Sequence, residues 1–218
     1  MGTPDLFADD AAAERRTEDL APGAAVLRGF GLDHVGALLA GIERVVERAP
    51  FRFLKTPGGF TMSVAMTNCG DVGWVSDLTG YRYDPLDPLT CERWPAMPRA
   101  FTDMAQAAAA QIGFTRFAPD CCLINRYEPG ARLSLHQDRD EKGYVDPIVS
   151  VSLGLPAVFQ FGGTRRSDRP SRIPLAHGDV VVWGGPSRLR FHGILPLKEG
   201  EHPALGRQRL NLTFRKAL

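Results

Sequence analysis

The stretch LSLHQDRDE, residues 133–141, places His136, Asp138 and Asp140 at every second position. In an extended chain, residues two apart project from one face, so a strand here presents an imidazole and two carboxylates side by side. A later run, RLRFHGI at 188–194, sets Arg190 and His192 opposite Leu189 and Phe191. If the two runs pair, His136, Asp138 and His192 converge. Two imidazoles and one carboxylate leave about three octahedral positions open on a metal, the pattern that suits a non-haem Fe(II) oxygenase. A zinc hydrolase with the same ligands is the other metal reading.

A third run, RLNLTFR at 209–215, alternates Arg209, Asn211, Thr213 and Arg215 with Leu210, Leu212 and Phe214. Any one of these strands taken alone is better explained by a sheet with one wet face, and H-x-D alone is too short to be diagnostic. The three rows together ask for more. An oxygenase that uses 2-oxoglutarate must hold a dianion, one end on the metal and the other on a fixed cation. Arginine suits that task, because its planar fork binds carboxylate in two places and stays charged when partly buried. Arg209 and Arg215, flanking Asn211, can grip such a cosubstrate. Asn125 and Tyr127 share a face of CCLINRY, a run apolar on both sides, where polar groups need a partner.

These rows need elements to position them. After residue 117 the chain becomes short strands separated by Gly, Pro and Asp turns: CCLINRY, ARLSLHQD, PIVSVSLGL, AVFQFGG, SRIPLA, DVVVWGG, RLRFHGIL and QRLNLTFR. Their spacing predicts an all-β sandwich or barrel. Two helices are predicted ahead of it. One covers 33–49, with Val35, Leu38, Leu39, Ile42, Val45 and Val46 at helical spacing; the other covers 98–112 and opens on Pro98. Between them, residues 56–97 mix glycine and proline with Trp74, Tyr81, Tyr83 and Trp94. That composition fits irregular packing or a lid over a site. Residues 1–20 read as a poorly ordered tail, 21–116 as an N-terminal extension and 117–218 as the β core.

A chain of 218 residues suits a single domain. Its formal net charge of +1 supplies no global field toward nucleic acid or membrane, so any polyanion contact must be local. Arg165, Arg166, Arg169 and Arg172, offset by Asp168, form one such patch. No apolar run approaches the ~20 residues of a membrane span, and the start MGTPDLFADD lacks an apolar signal core. A cytoplasmic protein is expected, with reduced thiols at Cys69, Cys91, Cys121 and Cys122.

The motifs NRYEPGARLSLHQDRDE, PIVSVSLGLPAVFQFGG, HGDVVVWGGPSRLRFHGI and RLNLTFR, with TPGGFTMSVAMTNCG and WPAMP upstream, occur in order. They resemble the AlkB family of Fe(II)- and 2-oxoglutarate-dependent nucleic-acid demethylases, over most of residues 50–215. The resemblance implies an α+β, mainly β fold: a double-stranded β-helix (jelly roll) braced by helices, with a nucleotide-recognition lid in the extension. It puts Fe(II) on His136, Asp138 and His192, and 2-oxoglutarate on Asn125, Tyr127, Arg209, Asn211 and Arg215, with O2 as second cosubstrate. It puts the damaged nucleotide on the lid aromatics Trp74 and Tyr81, with Tyr83 beside them, and on Asp140 and Arg166.

The implied reaction is hydroxylation of an N-alkyl group on a base, which then leaves as an aldehyde and reverses the damage directly. A flat flipped base can stack between Trp74 and His136, and N1-methyladenine or N3-methylcytosine carries positive charge that Asp140 would favour. The expected partner is alkylated DNA, with RNA as a further candidate, single-stranded or with a flipped base, met by a monomer away from membranes. Two rival readings stand beside it. One is an oxygenase of the same type acting on protein or a small molecule, without the Trp74, Tyr81 and Asp140 pocket. The other is a non-enzymatic jelly-roll binding module. His34, His177 and His202 are expected to ligate nothing.

Overall fold

The alternation read in RLNLTFR turns inward on both sides. In the computed structural model, which describes residues 15–218, strand β14 (Arg209–Arg215) is buried along its whole length. Leu210, Leu212 and Phe214 face α1 (Val35–Arg48) and α2 (Arg99–Gln111), joining Leu38, Ile42, Phe101 and Met104 in one core. Gly41 lets the two helices close up, since a Cβ there would lie 2.4 Å from the Phe101 ring. Arg209, Asn211, Thr213 and Arg215 face the other way, into a space between two sheets, and all four are buried. The wet-edge explanation of this row is thereby excluded.

The large sheet runs in the order β1 (Thr17–Ala21), β2 (Ala24–Leu27), β12 (Val180–Trp183), β9 (Ile148–Gly154), β14, β7 (Cys121–Tyr127), β4 (Thr61–Gly70) and β3 (Arg52–Lys55). The small sheet runs β11 (Ser171–Leu175), β10 (Ala157–Phe161), β13 (His192–Ile194) and β8 (Leu133–His136). Every pair in both sheets is antiparallel. Val181, Trp183, Leu123, Phe159, Phe161 and Ile194 pack between the sheets. This is the expected mainly β jelly roll with two helices on its outer face. A separate hairpin, β5 (Gly73–Asp77) and β6 (Gly80–Asp84), projects beside it.

Three expectations change. Residues 1–14 lie outside the described residues, but Thr17–Ala21, expected within the tail, is a paired strand. An edge strand needs only backbone partners, and the Glu18 carboxylate is pinned 2.6 Å from Arg28, itself 2.7 Å from Asp179. Strands β2, β3 and β4 precede residue 117 yet belong to the large sheet, so the sheet crosses that boundary. The strand expected over 188–194 shrinks to His192–Ile194, and β8 stops at His136, short of Asp138. Arg188 bends inward and donates to the Asp138 and Asp146 carbonyls, at 3.1 Å each, which replaces ladder bonds with side-chain ones.

Candidate active site

Pairing of β8 with β13 sets His136 opposite His192, with ring centroids 4.4 Å apart. Gly193 makes the approach possible, because a Cβ there would fall 2.6 Å from the Leu133 carbonyl oxygen. Asp138, just past the end of β8, comes within 3.5 Å of His136 Nε2 and 3.8 Å of His192 Nε2. One ligand atom from each of the three lies within 4.8 Å of the others. His136 Nδ1 donates to the Ser134 carbonyl at 2.8 Å and His192 Nδ1 to the Arg190 carbonyl at 3.0 Å. Those bonds put the proton on Nδ1 and turn both Nε2 lone pairs toward the common point. Burial, then His136, lowers the His192 pKa to about 3, so the ring is neutral and free to donate to a metal. Burial would push the Asp138 carboxyl up, but Arg215, then the two imidazoles and Arg188, hold it well below the usual carboxylate range.

The triad opens on a cavity of about 750 Å³ between the sheets. Its inner wall is β14, β7 and β9. Arg215 holds Asp138 Oδ2 through Nε at 2.8 Å and Nη2 at 2.7 Å, while its Nη1 is buried without a partner. Arg209, 1% exposed, donates from Nη2 to Ser152 Oγ at 2.8 Å and lies over the Tyr127 ring; its Nε and Nη1 are buried with no partner. Asn211 donates to Ser150 Oγ and the Val151 carbonyl, and Asn125 Oδ1 is left unpaired. Unpaired buried N–H groups on a guanidinium are costly, and an anion in this cavity removes the cost. The donor set therefore fits both a metal with open positions and a carboxylate cosubstrate.

The outer wall is of another kind. Trp74 stacks on Tyr81 with centroids 5.6 Å apart, and its indole N–H donates to Asp140 Oδ2 at 2.8 Å. Buried Asn68 fixes the Trp74 backbone from both sides, at 3.0 Å each. Arg166 also lines the cavity, donating to the Leu135 carbonyl at 3.0 Å with its guanidinium over Phe191. Tyr83 does not line it. Its hydroxyl turns away and donates to Glu141 Oε1 at 2.9 Å, and burial, opposed by Arg215, raises its pKa far enough to keep it protonated.

Comparison with known proteins decides the family. Residues 24–215 match the model of the 2OG-Fe(II) oxygenase superfamily. Alpha-ketoglutarate-dependent dioxygenase AlkB of Salmonella typhimurium is 59% identical over 213 residues, 98% of this chain and 97% of that one. The chain belongs to the AlkB family. Within it, DNA N(6)-methyladenine demethylase ALKBH1C of Arabidopsis thaliana is 36% identical over 68% of this chain and 38% of its own length. The solved structure of OsALKBH1 superposes with a TM-score of 0.79 at 30% identity, covering 92% of this chain and all of the other. An AlkB-family member is a dioxygenase that works with iron(II), 2-oxoglutarate and O2.

Some residues of this site escaped the sequence reading. Ser150 and Ser152, which seat Asn211 and Arg209, alternate inside the apolar run PIVSVSLGL, the same period-two signal that revealed β14. Glu141 and Arg188 form a buried ion pair at 3.2 Å that no local pattern announces. His177 and His202 lie elsewhere, their rings 4.4 Å apart, each Nδ1 accepting a backbone N–H. Among the described residues no helix is long and apolar enough to cross a membrane.

Proposed function

We propose that this cavity removes alkyl groups oxidatively from the nitrogens of DNA bases, with RNA as a second substrate, and so reverses alkylation damage. The observation that carries the reading is one cavity with a metal-capable triad between two unlike walls. Inside stand buried guanidinium N–H groups with no partner; outside stand a stacked pair of aromatic rings and a carboxylate. His136, Asp138 and His192 would hold the iron, and Arg209, Asn211, Asn125, Tyr127 and Arg215 would receive 2-oxoglutarate. When bound, iron(II) with 2-oxoglutarate and O2 supplies the oxidant that hydroxylates the alkyl carbon. The protein's own work is orientation. Arg215 keeps Asp138 ionised, Nδ1 donation keeps both imidazoles aimed, and Trp74 offers a face to a flipped base. Asp140 would exchange the indole N–H for the edge of a cationic methylated base. Arg166 would meet a phosphate. A base reached this way is single-stranded or flipped. The working unit of this reading is a monomer in the reducing cytoplasm, a compartment that suits four free cysteines.

The test is direct. Protein supplied with Fe(II), 2-oxoglutarate and O2 should release formaldehyde from an oligonucleotide carrying N1-methyladenine and restore adenine. Succinate formed on an alkylated peptide or metabolite, with no base restored, would move the reading to another hydroxylase. No iron uptake at all would leave only a binding module.

A further inference from the structure

Glu141 is buried to 1% of its side chain, yet it does not line the cavity. Its Oε1 accepts from the Tyr83 hydroxyl at 2.9 Å and lies 3.4 Å from Arg215 Nε; its Oε2 pairs with Arg188 Nη2 at 3.2 Å. Both arginines reach on to Asp138. Arg215 binds its carboxylate at 2.7 Å, and Arg188 donates to its backbone carbonyl at 3.1 Å. Asp138, Glu141, Arg188 and Arg215 thus make a buried quartet with balanced charge.

The quartet has a handle on the hairpin. Tyr83 on β6 is the cross-strand partner of Trp74 on β5. The hairpin grips the 138–141 segment twice, through Trp74 on Asp140 and Tyr83 on Glu141. Buried ion pairs are poor stabilisers compared with apolar packing, because desolvation consumes most of the Coulomb gain. What they can fix is geometry. We propose that Glu141 and Tyr83 are positioning residues, which set the spacing between the base-stacking Trp74 and the metal ligand Asp138. The proposal rests on the demethylase reading for its substrate, and neither residue touches the reacting atoms.

Glu141→Gln removes the charge that balances Arg188 and Arg215. Tyr83→Phe removes only the handle and serves if E141Q does not fold. In the metal-free protein, amide hydrogen exchange across 73–84 should rise about tenfold in either variant, with a matching rise at 138–141, as two coupled segments open together. In the loaded enzyme, kcat on a methylated oligonucleotide should fall about tenfold with KM within about twofold, since a small misplacement costs rate before affinity. Succinate formed per aldehyde released should rise severalfold. Unchanged exchange in the hairpin would overturn the link. So would succinate and aldehyde falling by one common factor, which marks a brace for the fold alone. Wild-type protein that releases no aldehyde would instead sink the demethylase reading, while the exchange result would still judge the link.

Discussion

At the inner end of the cavity Arg209, Arg215 and Asn125 stand on central strands, and each keeps a buried polar atom that the protein leaves unpaired. At the outer end Trp74, Tyr81 and Asp140 stand on a hairpin and a loop, Tyr81 is 47% exposed, and Trp74 bonds Asp140 and stacks on Tyr81. The two guanidinium groups of the inner end have N–H donors left over, which an anion would take up. The outer end satisfies itself and must exchange partners to bind. That difference matches a cosubstrate that is the same in every turnover and a base that must be selected each time.

The harshest way to break the comparison is to remove the group between the two ends. Asp138→Ala deletes a candidate ligand and takes from buried Arg215 its nearer carboxylate, leaving Glu141 at 3.4 Å. Aldehyde release should fall at least about 1,000-fold, and stability by about 3–5 kcal/mol in a urea titration. Normal turnover would show that the metal sits elsewhere. Arg209→Met asks about the inner end alone. Losing a charge-assisted bond of about 1.5–3 kcal/mol should raise KM for 2-oxoglutarate about 10- to 100-fold. Stability should hold or rise, because a desolvated guanidinium with two unpaired N–H groups gives way to an apolar side chain. A lower Tm with unchanged KM would mean that Arg209 serves the fold and not the anion.

These two ends were not equally legible in the sequence. The inner row follows from strand alternation, because β14 pairs with β7 and β9 without a register break and its seven residues keep their period from Arg209 to Arg215. Asp138 and Asp140 were found by the same argument, but β8 ends at His136 and the loop places them. Their types were readable; the bend that aims them was not, since it depends on Arg188, some fifty residues away in the chain. The hairpin was harder again. Tyr81 and Tyr83 are two apart, so alternation gives them one face, yet Tyr81 overlies the cavity and Tyr83 bonds Glu141. A period of two reports the face, not which part of it meets the cavity. The strand inside the expected tail was hidden for a related reason, since an edge strand such as Thr17–Ala21 pairs through backbone and needs no apolar signature.

Milder changes sharpen the contrast at the outer end. Trp74→Ala should raise the oligonucleotide KM about tenfold, within the ~1–3 kcal/mol of one base–aromatic stack. Trp74→Phe keeps a ring but releases Asp140 from the indole N–H. If self-satisfaction is what the lesion must displace, this variant should bind an oligonucleotide with a cationic methylated base as tightly as wild type or more tightly. Weaker binding by W74F than by wild type would refute that.

The smallest effect concerns salt. Arg166 is already held at the rim by the Leu135 carbonyl and the Phe191 ring, so it can meet a phosphate without first being ordered. Arg165, by contrast, spends its charge on Asp168 at 3.1 Å. Arg166→Ala should weaken methylated and unmethylated single strands alike, and lower the slope of log affinity against log salt by about 0.7, one phosphate contact. Arg165→Ala should leave the slope near its starting value. Over the same salt range KM for 2-oxoglutarate should move far less than oligonucleotide affinity, because the buried inner arginines are screened less than the exposed rim. A parallel salt dependence at both sites would mean that the inner wall is open to solvent in the working enzyme, and the distinction between the two ends would fail.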